Sequence, residues 1–139
     1  MKYYHASAHT YDFPSYEELI KNRTNHANGN MGLWFSAKSD WIEGFGDNIY
    51  EIEIAETDIK ILPFSEAVNW QEGFKGDWKS NREELEVLYY QDLRKEMMKT
   101  HKVILFKETN GETAMGIILD FTAIKDFKIL EKNKNKLKM

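Results

Sequence analysis

The sequence of 139 residues contains no cysteine. That removes disulfide scaffolds, thiolate metal sites and thiol nucleophiles together, and it fits a reducing, cytoplasmic setting. Long apolar runs are also missing. Met1 to His9 has no apolar signal core, and no stretch approaches the roughly 20 apolar residues that a bilayer-crossing helix needs, so no membrane partner is expected. Basic excess is absent too: 19 Lys and Arg stand against 23 Asp and Glu, a formal charge of -4. This balance offers no electrostatic footprint for a phosphate backbone and argues against a nucleic-acid partner, although the lysine-rich C-terminus leaves such a contact open.

Several chemical signatures are lacking as well. Neither a P-loop nor the dinucleotide glycine fingerprint occurs, and Gly44-Phe45-Gly46 is only a fragment of the latter. His5 and His9 stand four apart, but in a β-like segment with Pro14 still ahead, and His26 and His101 complete no zinc motif. No metal site is expected. No serine occupies a nucleophile elbow, and the acids never take the spacing of a calcium loop.

What is present suits one compact α+β domain over residues 1–131, followed by a basic C-terminal tail over 132–139. Lys2 to Ser7 reads as an opening strand. Ser15 and Glu18 form a capping box for a helix. Leu33 to Ser36 is a brief strand, and the segment after it is a two-turn helix stopped by Gly44 and Gly46. Asn48 to Ile54 alternates, with Ile49, Glu51 and Glu53 on one face and Tyr50, Ile52 and Ile54 on the other. Asp58 to Leu62 is a strand ended by Pro63, and Ser65 starts a short helix. Ser80 and Glu83 cap the strongest helix, in which Leu85, Leu88, Tyr89, Leu93 and Met97 form an apolar stripe. Lys102 to Lys107 and Ala114 to Leu119 are strands joined at Asn110-Gly111. That dipeptide predicts a tight hairpin with positive φ at both central positions. A last strand follows Asp120.

Three blocks carry a resemblance. Tyr3-Tyr4-His5-Ala6-Ser7, Gly32 to Ile54, and His101 to Leu130 resemble, in order, the blocks of the ADP-ribosyltransferase superfamily, in its small bacterial or phage forms. The resemblance implies a split antiparallel sheet with peripheral helices, and NAD as co-substrate. It places His5, Ala6, Ser7, Trp34 and Ser36 around NAD: His5 on a ribose, the Ala6 backbone on the carboxamide, and Trp34 stacked on the nicotinamide. The family's glutamate position falls on Met115, and Glu112 is the nearest acid. Glu112, His5 and Trp34 are therefore the expected catalytic set. The carboxylate would stabilise the positive charge that develops as the nicotinamide–ribose bond breaks.

Two functions follow. The first is a mono-ADP-ribosyltransferase, a glycosyltransferase-type enzyme moving ADP-ribose from NAD to a protein, nucleic-acid or small-molecule acceptor. The second is a catalytically inactive relative of phage or mobile-element origin, an anti-defence factor that binds and inhibits a host protein. Met115 in place of the glutamate favours the second. So do Trp70, Phe74 and Trp78, four apart in a segment expected to be exposed, as candidate partner-binding residues.

Overall fold

The strict alternation of Asn48–Ile54 appears as a strand whose even-numbered residues are buried and whose odd-numbered residues are half-exposed. The computed structural model describes residues 2–7, 15–17, 31–37, 48–74 and 82–132. In chain order these form β1 (Lys2–Ser7), β2 (Leu33–Ser36), β3 (Asn48–Ile54), β4 (Ile59–Pro63), α1 (Ser65–Gly73), α2 (Arg82–Met97), β5 (Val103–Lys107), β6 (Met115–Ile118) and β7 (Ile124–Lys132). Short 3-10 turns precede β4 and β7. The strands make one sheet in the order β4-β5-β6-β2-β1-β3-β7. The architecture is a single α+β domain with a mixed seven-stranded sheet and peripheral helices.

The expected split antiparallel sheet is corrected in one respect. β4 and β5 run parallel, in register from Ile59–Val103 to Pro63–Lys107. Parallel neighbours need a long crossover, and the segment containing α1 and α2 supplies it. The other pairings among the described strands are antiparallel.

One face of the sheet carries Tyr3, Leu33, Phe35, Tyr50, Ile52, Ile54, Val103, Leu105, Ile118 and Phe127 as a continuous core. Phe35 lies over Gly116, where an added Cβ would meet the Phe35 ring and the Ile104 carbonyl oxygen at 2.5 Å. The glycine is there for close approach. The opposite face is split. Over β5, β6 and β2, residues Ile104, Phe106, Ile117 and Leu119 pack with Trp70 and Tyr90 from the helices. On its β1–β3–β7 half the same face carries Glu51, bridged to Lys2 at 3.2 Å and Lys128 at 3.4 Å.

The helix α2 departs from its expected stripe. Tyr89, Leu93 and Met97 pack on the core with Tyr90, while Leu85 and Leu88 remain 40% and 55% exposed. At about 100° per residue, Leu88 and Tyr90 point about 160° apart, so burial of the tyrosine turns the leucine outward. The β5–β6 connection also differs from the two-residue form. Gly111 alone has positive φ, at 88°. The Gly111 N–H donates to the Glu108 carbonyl at 2.9 Å, and the Glu108 N–H to the Glu112 carbonyl at 2.8 Å. This is the three-residue loop with a left-handed glycine in last place. Asn110 stays out of the left-handed region, and its Oδ1 accepts from the Glu112 N–H at 2.9 Å.

Several expectations fall outside the described residues: the short helix before Gly44 and Gly46, the Ser80 cap, Trp78, His9, His26 and the tail beyond Lys132. Of the helix expected after Ser15, Tyr16 and Glu17 are described, and both are helical.

Candidate functional site

β1 sits between β2 and β3, which brings the first two blocks side by side. β1 and β2 share the register pair Tyr4–Ser36. There the His5 ring takes part in the sheet itself. Its Nδ1–H donates to the Trp34 carbonyl at 2.6 Å, a role a backbone N–H fills in a regular ladder. Burial lowers the His5 pKa, and the hydrogen bond to Trp34 opposes that shift without cancelling it. The imidazole is neutral at pH 7, with its one N–H committed to the neighbouring strand.

Trp34 lies on the helix-covered face. Its ring stacks on Phe106, centroids 5.9 Å apart at 20°. Phe106 in turn meets Trp70 and Phe64 edge-on, at 5.5 and 6.1 Å. The aromatic expected to cover nicotinamide is therefore one layer of a four-ring assembly that runs from the core at Phe106 and Trp70 to the surface at Phe64. Ala6 is buried at 8% exposure, and Ser36 at 2%. Ser7 pairs by its backbone with Asn48.

Met115 stands where the resemblance places the carboxylate. It pairs with Ser36 on β2 and with Phe106 on β5, so the cross-strand row reads Tyr4, Ser36, Met115, Phe106. The position is next to Ser36, but its side chain is a thioether that can neither accept a ribose hydroxyl strongly nor balance positive charge. Glu112 is exposed in the hairpin loop, outside β6. The register of β2 on β6 runs unshifted from Ser36–Met115 to Leu33–Ile118. Among the described residues, no group of three or more His, Asp or Glu is placed to hold a metal ion.

The candidate partner anchors are also redistributed. Trp70, expected to be exposed, is buried at 7% in the core beneath α1. Its carbonyl accepts from the Tyr89 hydroxyl at 2.6 Å. Phe74 is half-buried against the Tyr89 ring, centroids 5.6 Å apart. What the sequence reading missed is the surface these aromatics leave behind. Phe64 at the N-cap of α1, Val68 within it, and Leu85 and Leu88 on α2 are large apolar side chains between 37% and 55% exposed. Val68 precedes Trp70 by two positions, as Leu88 precedes Tyr90, and that offset was the available signal.

A second group went unread. The Arg94 guanidinium lies 3.6 Å over the Tyr16 ring, and its Nη2 donates to the Leu119 carbonyl at 2.9 Å. Tyr16 meets Phe121 edge-on at 6.5 Å. Burial lowers the Arg94 pKa, and Tyr16 and Asp120 oppose that shift. The arrangement ties α2 to the N-terminal segment through a cation–π contact.

No family model and no curated protein matches the chain. Among solved structures, a match is to the crystal structure of an anti-CRISPR protein, with 13% identity, coverage of 94% of this chain and 95% of that one, and a TM-score of 0.43. A likeness of that size carries no argument about function. The row beside Ser36 supplies a methionine where transfer needs an acid. The expectation of an ADP-ribosyltransferase or glycosyltransferase is corrected on that ground. No described helix is long and apolar enough to cross a membrane.

Proposed function

We propose that this protein works by binding another protein, in the form expected of a phage or mobile-element factor that grips and inhibits a host protein. The observation carrying this reading is the set of apolar side chains on the outer helical layer: Phe64, Val68, Leu85 and Leu88. Phe64 stands at the N-cap of α1, Val68 lies within it, and Leu85 and Leu88 lie one turn apart on α2. Exposed apolar side chains held on rigid elements are typical of interaction sites. The residues expected around NAD support the same reading by their present employment. His5 caps a strand carbonyl and Trp34 stacks on Phe106. The binding surface has shifted from the expected Trp70 to the neighbours that Trp70 pushes outward.

Quantitative affinity capture from host-cell extract tests the reading. The wild type, a Leu85→Ser/Leu88→Ser variant and a His5→Asn variant are compared side by side. The expected result is a discrete set of proteins retained by the wild type and by His5→Asn and lost from the double variant. Identical capture by all three, or release of nicotinamide from NAD by the wild type, contradicts it.

A further inference from the structure

From the charge around those side chains we infer that the partner's contact surface is apolar at its centre and rimmed by Lys and Arg. This inference rests on the binding reading above. From Phe64 to Phe74 and from Glu84 to Leu93 the described residues include Glu66, Glu72, Glu84, Glu86 and Asp92, with no Lys, Arg or His among them. On α2, Glu84, Leu88 and Asp92 follow one another at four-residue spacing, and Leu85 stands three before Leu88. They therefore form one ridge, an apolar pair with an acid at each end. From the N-cap of α1 onward, Phe64, Val68 and Glu72 repeat the four-residue row. The helices adjoin where the Tyr89 hydroxyl reaches the Trp70 carbonyl. The bases of α2 stand at its ends, Arg82 in the first turn and Arg94 and Lys95 in the last. The Arg94 guanidinium is turned onto Tyr16 and the Leu119 carbonyl, and Lys95 stands one turn beyond Asp92, past the acid that ends the ridge. Lys125 and Lys128 lie on β7 and Lys60 on β4.

That distribution selects the occupant. A second copy of this chain, docked through the same layer, would set acid against acid. In an antiparallel pairing of α2 with its copy about Leu88, each Glu84 lies opposite an Asp92. An acidic partner is excluded in the same way, since like charges facing each other across an interface are strongly unfavourable. A surface with an apolar centre and basic rim satisfies both parts of the ridge. The leucines exclude water, and the carboxylates steer encounter and fix register.

The test uses the full chain, with isotope-labelled amides and two probes. One is an amphipathic peptide of Leu and Lys; the other has the same pattern with Glu in place of Lys. The basic peptide is expected to shift amides from Glu84 to Asp92 and to bind about tenfold more weakly once salt is raised to several times physiological strength, where the Debye length falls toward 3 Å. A Glu84→Gln/Asp92→Gln variant is expected to lose most of that salt dependence and to melt at the wild-type temperature. The acidic peptide is expected not to bind. Equal binding of the two peptides, binding of neither, or shifts centred on Glu51 and Glu53 overturns the inference. Host-protein capture that needs Leu85 and Leu88 but ignores salt and the two Gln substitutions overturns the charge assignment alone and leaves the binding reading standing.

Discussion

A desolvated imidazole is least costly when neutral, and His5 is half-buried with its one neutral-state donor already engaged. Its folded pKa lies below the ordinary 6.5. The unfolded chain therefore binds more protons than the folded one once pH falls below that value. Stability contributed by neutral His5 is present above pH 6.5 and declines as pH drops toward the lowered folded value, with a slope of at most about 1.4 kcal/mol per pH unit. Urea melts from pH 7.5 to 5 should show this decline, and His5→Asn, which keeps an N–H donor without the titration, should lack it. Equal slopes in both proteins would mean that His5 is not the group responsible. The histidine's strand position was legible in Tyr3 to Ser7, because β-rich residues mark a strand. Its hydrogen bond to the Trp34 carbonyl was not, since that bond depends on how β1 and β2 meet.

Periodicity tells which residues share a face of an element and leaves open which of two adjacent apolar faces the sheet will take. On α2 the stripe from Leu85 to Met97 is about 180° wide at 100° per residue. Packing accepts Tyr89, Tyr90, Leu93 and Met97 and leaves Leu85 and Leu88 outside. Trp70→Ala should accordingly cost about 3–5 kcal/mol, because it empties a core position beside Phe106. Leu88→Ser should change stability by no more than about 0.5 kcal/mol. Denaturant midpoints measure both, and a Leu88→Ser loss comparable to that of Trp70→Ala would place Leu88 in the core. The β5–β6 loop teaches a similar point. Asn110-Gly111 marks the turn, but the side chain of Asn110 bonds to the Glu112 N–H, and only Gly111 takes positive φ. An added Cβ at Gly111 meets nothing within 4 Å. Gly111→Val should therefore cost about 1–2 kcal/mol through backbone strain alone. An unchanged urea midpoint would rule that strain out.

For the molecule as a whole, strand alternation, the loop glycine and the helical spacing of α2 made an α+β domain readable from sequence. The parallel β4–β5 pairing was not readable, because hydrophobic period is blind to strand direction when the crossover is long. Both sheet edges carry features that discourage further pairing. β4 is short, with Lys60 and Pro63, and β7 has two register shifts against β3. The helical layer has no comparable protection, and its apolar ridge is where the account places function. Site-specific photo-crosslinking in host cells tests that most directly, with a photoreactive residue at Leu88 in one protein and at Lys128, on the far half of the sheet, in another. A discrete protein adduct is expected from position 88 and none from position 128. No adduct at 88, or the same adduct from 128, would contradict it.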